Sequence, residues 1–202
     1  SLDATWVAMA NALQSNEKVH IIAYNTAEQA RITALLNDAS VPITNIDFKI
    51  HETNDVWVRD NGPIFAKNLS GTIVIQDWGF NGWGGKHNYT KCDPIPTFIG
   101  SSLGKTVVNV PMVNEGGSVE LDGHGVLMAT KSSIISQSPA NSVRNSGMTQ
   151  AQAEVIFKKY YGAKKIIWLD GGFIPEDVTD MHIDGIAKFV PGNKMVTMNN
   201  AD

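Results

Sequence analysis

The chain has 202 residues, 43% hydrophobic and 18% charged, with a formal net charge of −4. That composition can bury a sizeable core and excludes a disordered chain. No basic stripe interleaves with aromatics, which argues against a nucleic-acid surface, and no apolar run approaches the roughly 20 residues of a membrane span.

The first fifty residues alternate helix and strand. Residues 3 to 15 carry helical apolar spacing, and VHIIAY (19 to 24) is a compact β-type run. Thr26 is the expected cap of the next helix, AEQARITALLND, and IDFKI (46 to 50) reads as a second strand.

Beyond this point a unit recurs. NDVWVRDNG leads into PIFAK, a Leu-Ser-Gly turn and TIVIQDW. VNEGG leads into SVELD, a Gly-His-Gly turn and VLMAT, and TDMHIDG leads into IAKFV, a Pro-Gly-Asn turn and KMVTM. Each copy is an acidic loop followed by a β-hairpin with turn-forming residues at its tip. Helices are expected near 94 to 103 and 149 to 161, each before a short apolar strand, TVVNV or KIIWL. Modules of this kind close round an axis or stack in a row. Closure would bring Asp60, Glu115 and Asp184, which hold corresponding places, to one end of the axis. A single acidic loop residue is ordinarily just solvated; three at equivalent places of a repeat suggest a site.

His182 and Asp184, two positions apart, would share a face if the chain there is extended. Several carboxylates with one histidine suit either a metal or an organic cation. The His-x-Asp pair with a distant Glu and Asp could ligate manganese or iron, although transition-metal sites usually recruit more than one histidine. A guanidinium is the second candidate, being planar, permanently charged and built as a fork of five N–H donors. Carboxylates on either side would each accept a charge-assisted pair. Trp57, three residues before Asp60, is either an aromatic wall for that cation or a core residue.

Taken in order, NDVWVRDNGPIF, QDWGFNGWGGK, NEGGSVELDGHG, VRNSG and TDMHIDGIAKFV resemble the agmatine deiminase and Porphyromonas-type peptidylarginine deiminase family. The resemblance runs from about Trp6 to the last residue. It implies an α/β fold, the five-bladed α/β propeller of the guanidino-group-modifying (pentein) superfamily, with about three ββαβ blades in this chain. One deiminase domain over 1–202, incomplete at both ends, is expected. The resemblance also implies a cytoplasmic hydrolase of polyamine metabolism that uses no cofactor and no metal. Its partner would be a small cationic guanidino substrate, agmatine or an arginine side chain, with a homo-oligomer left open.

Carried over residue by residue, Asp60 would bind the guanidinium nitrogens and Asp184 would bind them from the other side. His182 would be the general acid and base. Glu115 would orient that histidine or contact the guanidinium. Met181 stands where many relatives have glycine before the histidine, a departure that bears on the backbone path into His182.

The resemblance places a nucleophilic cysteine close to the family's C-terminus, with no counterpart here. Cys92 is the single cysteine, so no intrachain disulfide forms. It matches no family motif and reads as an ordinary packed or surface thiol, which predicts that the 202 residues alone are inactive. GWGGKH lacks the Ser or Thr of a phosphate loop, and Ser118 lacks the elbow of a serine hydrolase. Arg144 and Asn145 are expected to brace a loop. A binding module without catalysis remains the alternative of another class.

Overall fold

The computed structural model describes residues 2–135, 144–192 and 194–198. The chain forms two compact units, one running to Thr53 and one starting at Asn54.

The first unit is a helix–strand–helix–strand segment: α1 (Asp3–Gln14), β1 (Val19–Ala23), α2 (Thr26–Asp38) and β2 (Ile46–Ile50). β1 and β2 pair in parallel, Val19 opposite Ile46, which the crossover through α2 permits. Ala10, Leu36 and Val41 are its buried core, flanked by Val7, Ile21, Ile32, Ile46 and Phe48. The cap of α2 is Asn25 rather than Thr26. Its extended backbone leaves Oδ1 free to accept the Glu28 N–H at 2.8 Å, and Thr26 becomes the first helical residue.

The second unit repeats one plan. A single helical turn, α3 (Val58–Asn61), precedes the antiparallel hairpin β3 (Ile64–Lys67) and β4 (Ile73–Gly79). The short turn α4 (Gly82–Gly85) and helix α5 (Ile95–Leu103) lead to β5 (Val107–Val113), parallel to β4. The plan then recurs. A 3-10 turn at Gly116–Ser118 precedes the hairpin β6 (Val119–Leu121) and β7 (Val126–Thr130). Helix α6 (Gln150–Tyr160) returns to β8 (Lys165–Leu169), parallel to β7. A third copy begins with a 3-10 turn at Ile183–Gly185 and the hairpin β9 (Ala187–Val190) and β10 (Lys194–Thr197). The expected hairpins, helices and short apolar strands are all present; the parallel pairing of those strands and the helical turn ahead of each hairpin are additions of the structure.

Helix α6 joins the first two sheets. Its Ala153 and Phe157 are buried with Trp78, Val110 and Met112 of one sheet and with Val119, Leu127 and Ala129 of the next. Full burial of a side chain the size of Phe157 contributes roughly 2–3 kcal/mol. Thr149 opens the helix in a reciprocal capping box with Gln152. At the helix's other end Tyr161 stacks on Trp78, with ring centroids 4.6 Å apart. Its buried hydroxyl accepts from Asn114 at 3.0 Å, which ties the end of α6 to the loop leading into Glu115.

Candidate active site

The turns that precede the three hairpins lie side by side, the central one at Gly116–Ser118 touching both others. Each is pinned locally. Asp55 Oδ1 accepts from the Trp57 backbone at 2.8 Å and from Asn61 Nδ2 at 3.0 Å, fixing α3. The buried Ser118 hydroxyl donates back to the Glu115 carbonyl at 2.6 Å, fixing the central turn.

The turns converge on Gly117. A Cβ at that glycine would lie 2.6 Å from His182 Nδ1, 2.8 Å from Asp184 Oδ2 and 3.0 Å from Asp60 Oδ1. Only a residue without a side chain leaves room there. Two carboxylates and an imidazole therefore border one small space, lined on one side by bare backbone. The Gly117 N–H donates to Asp60 Oδ1 at 3.1 Å, and Trp83 Nε1 donates to Asp60 Oδ2 at 3.0 Å. Burial pushes the Asp60 carboxyl above the ordinary Asp value. The nearby His182, the Trp83 and Gly117 donors oppose that shift, and the Glu115 charge adds to it.

Glu115 is fully buried, and Arg144 Nε donates to its two oxygens at 3.1 and 3.2 Å. The same carboxylate meets His182 Nε2 at 3.2 Å. Of the two roles open to it from sequence, its contacts match the orienting one. With Nε2 occupied by Glu115, His182 turns Nδ1 toward Asp60 Oδ1, 3.7 Å away, and toward the space above Gly117. A neutral imidazole that donates from Nε2 carries its free lone pair on Nδ1.

His182 and Asp184 do border the same space, but not through an extended chain. The 3-10 turn at Ile183–Gly185 follows His182 directly, so the alternation of an extended strand does not apply. Ile183 points into the core and is fully buried. The backbone enters His182 through two left-handed residues, Asp180 at φ 57° and Met181 at φ 63°. That is a conformation glycine adopts readily, and Met181 adopts it with a side chain in place. Here it is held by neighbours: the Met181 N–H donates to Asp177 Oδ2 at 2.8 Å, and its carbonyl accepts from the Thr130 hydroxyl at 2.8 Å.

Trp57 sits at the start of α3 and is 59% exposed, so it is not the core residue that one sequence reading allowed. The indole that reaches Asp60 belongs to Trp83. Trp83 and Lys86, both in the FNGWGGK motif, join the residues expected from sequence; the motif is the signal that points to them. Arg144, expected to brace a loop, reaches the site as well. Arg144 and Asn145 both brace loops: Asn145 exchanges bonds with the Val113 N–H and carbonyl at 2.9 Å, and Arg144 Nη2 donates to the Thr179 carbonyl at 3.1 Å. Arg144 reaches Asp180 as well as Glu115, and Asp180 also accepts from Lys86 Nζ at 2.8 Å.

Cys92 is fully buried. Its sulfur accepts from the Asn54 N–H at 3.1 Å and lies 3.5 Å from Asp55 Oδ2. Burial raises its thiol above the ordinary value, and the Asp55 charge adds to that. These surroundings disfavour the nucleophilic thiolate. Among the described residues no group of three or more His, Cys, Asp or Glu is arranged to hold a metal ion, and no helix is long and apolar enough to cross a membrane.

The chain as a whole is similar to known proteins. The model of the Porphyromonas-type peptidyl-arginine deiminase family matches residues 1–202. A Legionella pneumophila (strain Paris) protein named "Putative agmatine deiminase" is 32% identical over 201 residues, covering 98% of this chain and 54% of its own. A solved agmatine deiminase of C. jejuni, a cysteine-to-serine variant with substrate bound, superposes with a TM-score of 0.82 at 27% identity. That match covers 98% of this chain and 57% of the other. The agmatine deiminase of Enterococcus faecalis gives a TM-score of 0.84 at 25% identity, over 98% of this chain and 53% of the other. The chain belongs to the Porphyromonas-type peptidyl-arginine deiminase family, a family of hydrolases acting on C–N bonds, and spans about half the length of the relatives it matches.

Proposed function

We propose that these residues form the guanidinium-binding and proton-transfer half of an agmatine deiminase, which converts agmatine and water into N-carbamoylputrescine and ammonia. The observation that carries this reading is the convergence of Asp60, Asp184 and His182 on the side-chain-free Gly117. Two carboxylates on either side of a flat cation accept its N–H fork, and the cation relieves their mutual repulsion and the burial cost on Asp60. The C. jejuni relative, an agmatine deiminase with substrate bound, supports a substrate of this kind.

The guanidinium carbon is resonance-stabilised and is more readily hydrolysed in two steps. A cysteine thiolate supplied from outside these 202 residues forms a C–S bond, and a C–N bond breaks. His182 delivers the proton that lets ammonia leave. It then takes a proton from the water that attacks the S-alkyl thiouronium, and the thiolate departs with the C–S electrons. Asp60 and Asp184 hold the nitrogens throughout, and Glu115 keeps the imidazole aligned. Trp57, open to solvent beside α3, supplies an aromatic wall to the bound cation. The cysteine replaced by serine in the substrate-bound relative supports a cysteine nucleophile. The family's own description favours peptidyl arginine as the alternative substrate. It presents the same reacting group and differs at the far end.

The five-bladed propeller belongs to the same reading. Helix α6 fills the space between the first two sheets. A cavity of about 860 Å³, lined by Met128, Ile167, Leu169, Phe189 and Met195, lies at the corresponding place between the second sheet and the third hairpin. A third helix like α6 would seat there, continuing the same turn of modules. A cytoplasmic location is expected for an enzyme of polyamine metabolism.

The test is turnover. The polypeptide extended through its adjoining coding sequence should release ammonia and a ureido product from agmatine, and H182Q should lose at least about a hundredfold of that rate. Binding of agmatine without turnover would make the protein a binding module. Turnover by the 202 residues alone, abolished by C92S, would overturn the assignment of the nucleophile.

A further inference from the structure

Behind the catalytic face lies a row of buried charges that the proposed chemistry does not use directly. Lys86 Nζ donates to Asp180 Oδ1 at 2.8 Å and to the Val178 carbonyl at 2.8 Å. Asp180 is fully buried, and its second oxygen accepts from Arg144 Nη1. The Arg144 side chain has no exposed surface; its Nη2 donates to the Thr179 carbonyl at 3.1 Å and its Nε to Glu115. Glu115 in turn holds His182 Nε2. The sequence Lys86, Asp180, Arg144, Glu115, His182 alternates in sign from a partly exposed lysine to the imidazole. A buried pair gains by such neighbours only if every charge is compensated, and here each is.

We propose that Arg144, Asp180 and Lys86 are positioning residues that act on His182 through Glu115, setting its orientation and its affinity for a proton. The inference rests on the deiminase reading for its purpose, since His182 must both give and take a proton. Arg144 fixes Glu115 by donating to both its oxygens. Asp180 draws off part of the guanidinium's charge, and Lys86 moderates Asp180. Other charged groups facing His182 are Asp60 at 3.7 Å, Asp184 across Gly117, and Asp177, whose charge interacts with it. None of these lies on the relay, so they form a constant background in the variants below.

The signs differ along the row. Neutralising Lys86 leaves Asp180 with Arg144 as its remaining cationic partner, makes the surroundings of His182 more negative, and favours the imidazolium. Neutralising Asp180 removes the anion between Arg144 and Lys86, makes the surroundings of His182 more positive, and disfavours it. A merely structural role gives no such opposition. The test is an NMR titration of the His182 imidazole nitrogens in this protein, assigned by H182Q, with circular dichroism confirming the fold. K86M should raise the titration midpoint and D180N should lower it, each by about half a pH unit or more. K86R, which keeps the charge, should match wild type. A midpoint unmoved in folded K86M, shifts of one sign in both neutral variants, or K86R moving as far as K86M would each overturn the relay. Lys86 keeps 20% of its side chain in solvent, so its variants should fold where D180N does not, and the K86M and K86R pair then decides alone. No substrate is needed. A protein that fails to turn over agmatine leaves the titration readable, and a failed relay leaves guanidinium binding standing.

Discussion

His182 Nδ1 and Asp60 Oδ1 face each other 3.7 Å apart across the bare backbone of Gly117. They come from turns far apart in sequence, each preceding a different hairpin. What joins them is the repeat: every module presents a helical turn, and the turns pack in a row. The glycine between them is the residue on which the site's geometry depends.

Gly117→Ala should therefore damage function more than folding. The added methyl meets two side-chain oxygens and an imidazole nitrogen at 2.6 to 3.0 Å, so those side chains must shift to admit it, and none of the three atoms is backbone. Agmatine turnover in the catalytically complete polypeptide should fall at least about a hundredfold, since small misplacements of reacting groups cost that much. At Gly116 a Cβ would collide with the Arg59 carbonyl, which is backbone, so Gly116→Ala should lower the urea midpoint instead. Kinetics and denaturation of the two variants separate the effects.

Asp60 gives a pH signature. Its folded carboxyl is raised above the ordinary value, chiefly by burial, so the folded state binds the proton more tightly than the unfolded one. This contribution to stability is present below the unfolded Asp value and is lost as pH rises through the folded one. Asp60→Asn removes that loss. The stability of D60N relative to wild type should increase as pH rises from about 3 to 7, measured by urea unfolding at each pH.

Trp83→Phe removes one donor to Asp60 while keeping an aromatic ring beside Phe80. A buried hydrogen bond to a charged group contributes about 1.5–3 kcal/mol, so guanidinium affinity should fall about tenfold or more. Calorimetry with agmatine measures it.

The Cys92 thiol should resist alkylation at pH 7 in the folded protein and react once the protein is unfolded, because burial both covers it and raises it. Labelling followed by mass spectrometry reads this directly. C92S should leave turnover by the catalytically complete polypeptide within about twofold of wild type.

Met181 is a side-chain-bearing residue in the left-handed region, at φ 63°. Met181→Gly should stabilise the protein by about 1 kcal/mol, because the left-handed conformation costs most residues that much. Equilibrium denaturation of the variant checks it.

The hairpins were legible in the sequence because turn-forming residues at their tips punctuate short apolar runs, and α6 because it lies between such a hairpin and the apolar strand KIIWL. The single turns ahead of the hairpins were not, since three or four residues cannot display a helical period. The same shortness misled the reading of His182 and Asp184, whose shared face comes from a tight turn. Asp60, Glu115, His182 and Asp184 could be named from motifs and their repeated placement. Which tryptophan reaches Asp60 could not: Trp57 is near it in sequence and Trp83 near it in space. The Arg144 bond to Glu115 joins residues 29 apart, and no local pattern encodes that pairing.

The central claim is that Asp60, Asp184 and His182 receive a guanidinium above Gly117. An NMR titration with agmatine, compared with putrescine, which has the same carbon chain but no guanidinium, tests it most directly. Agmatine should shift the Gly117 amide and the His182 ring, and D60N should abolish the response, while putrescine leaves both signals in place. Equal responses to the two ligands, or an agmatine response that survives D60N, would contradict it.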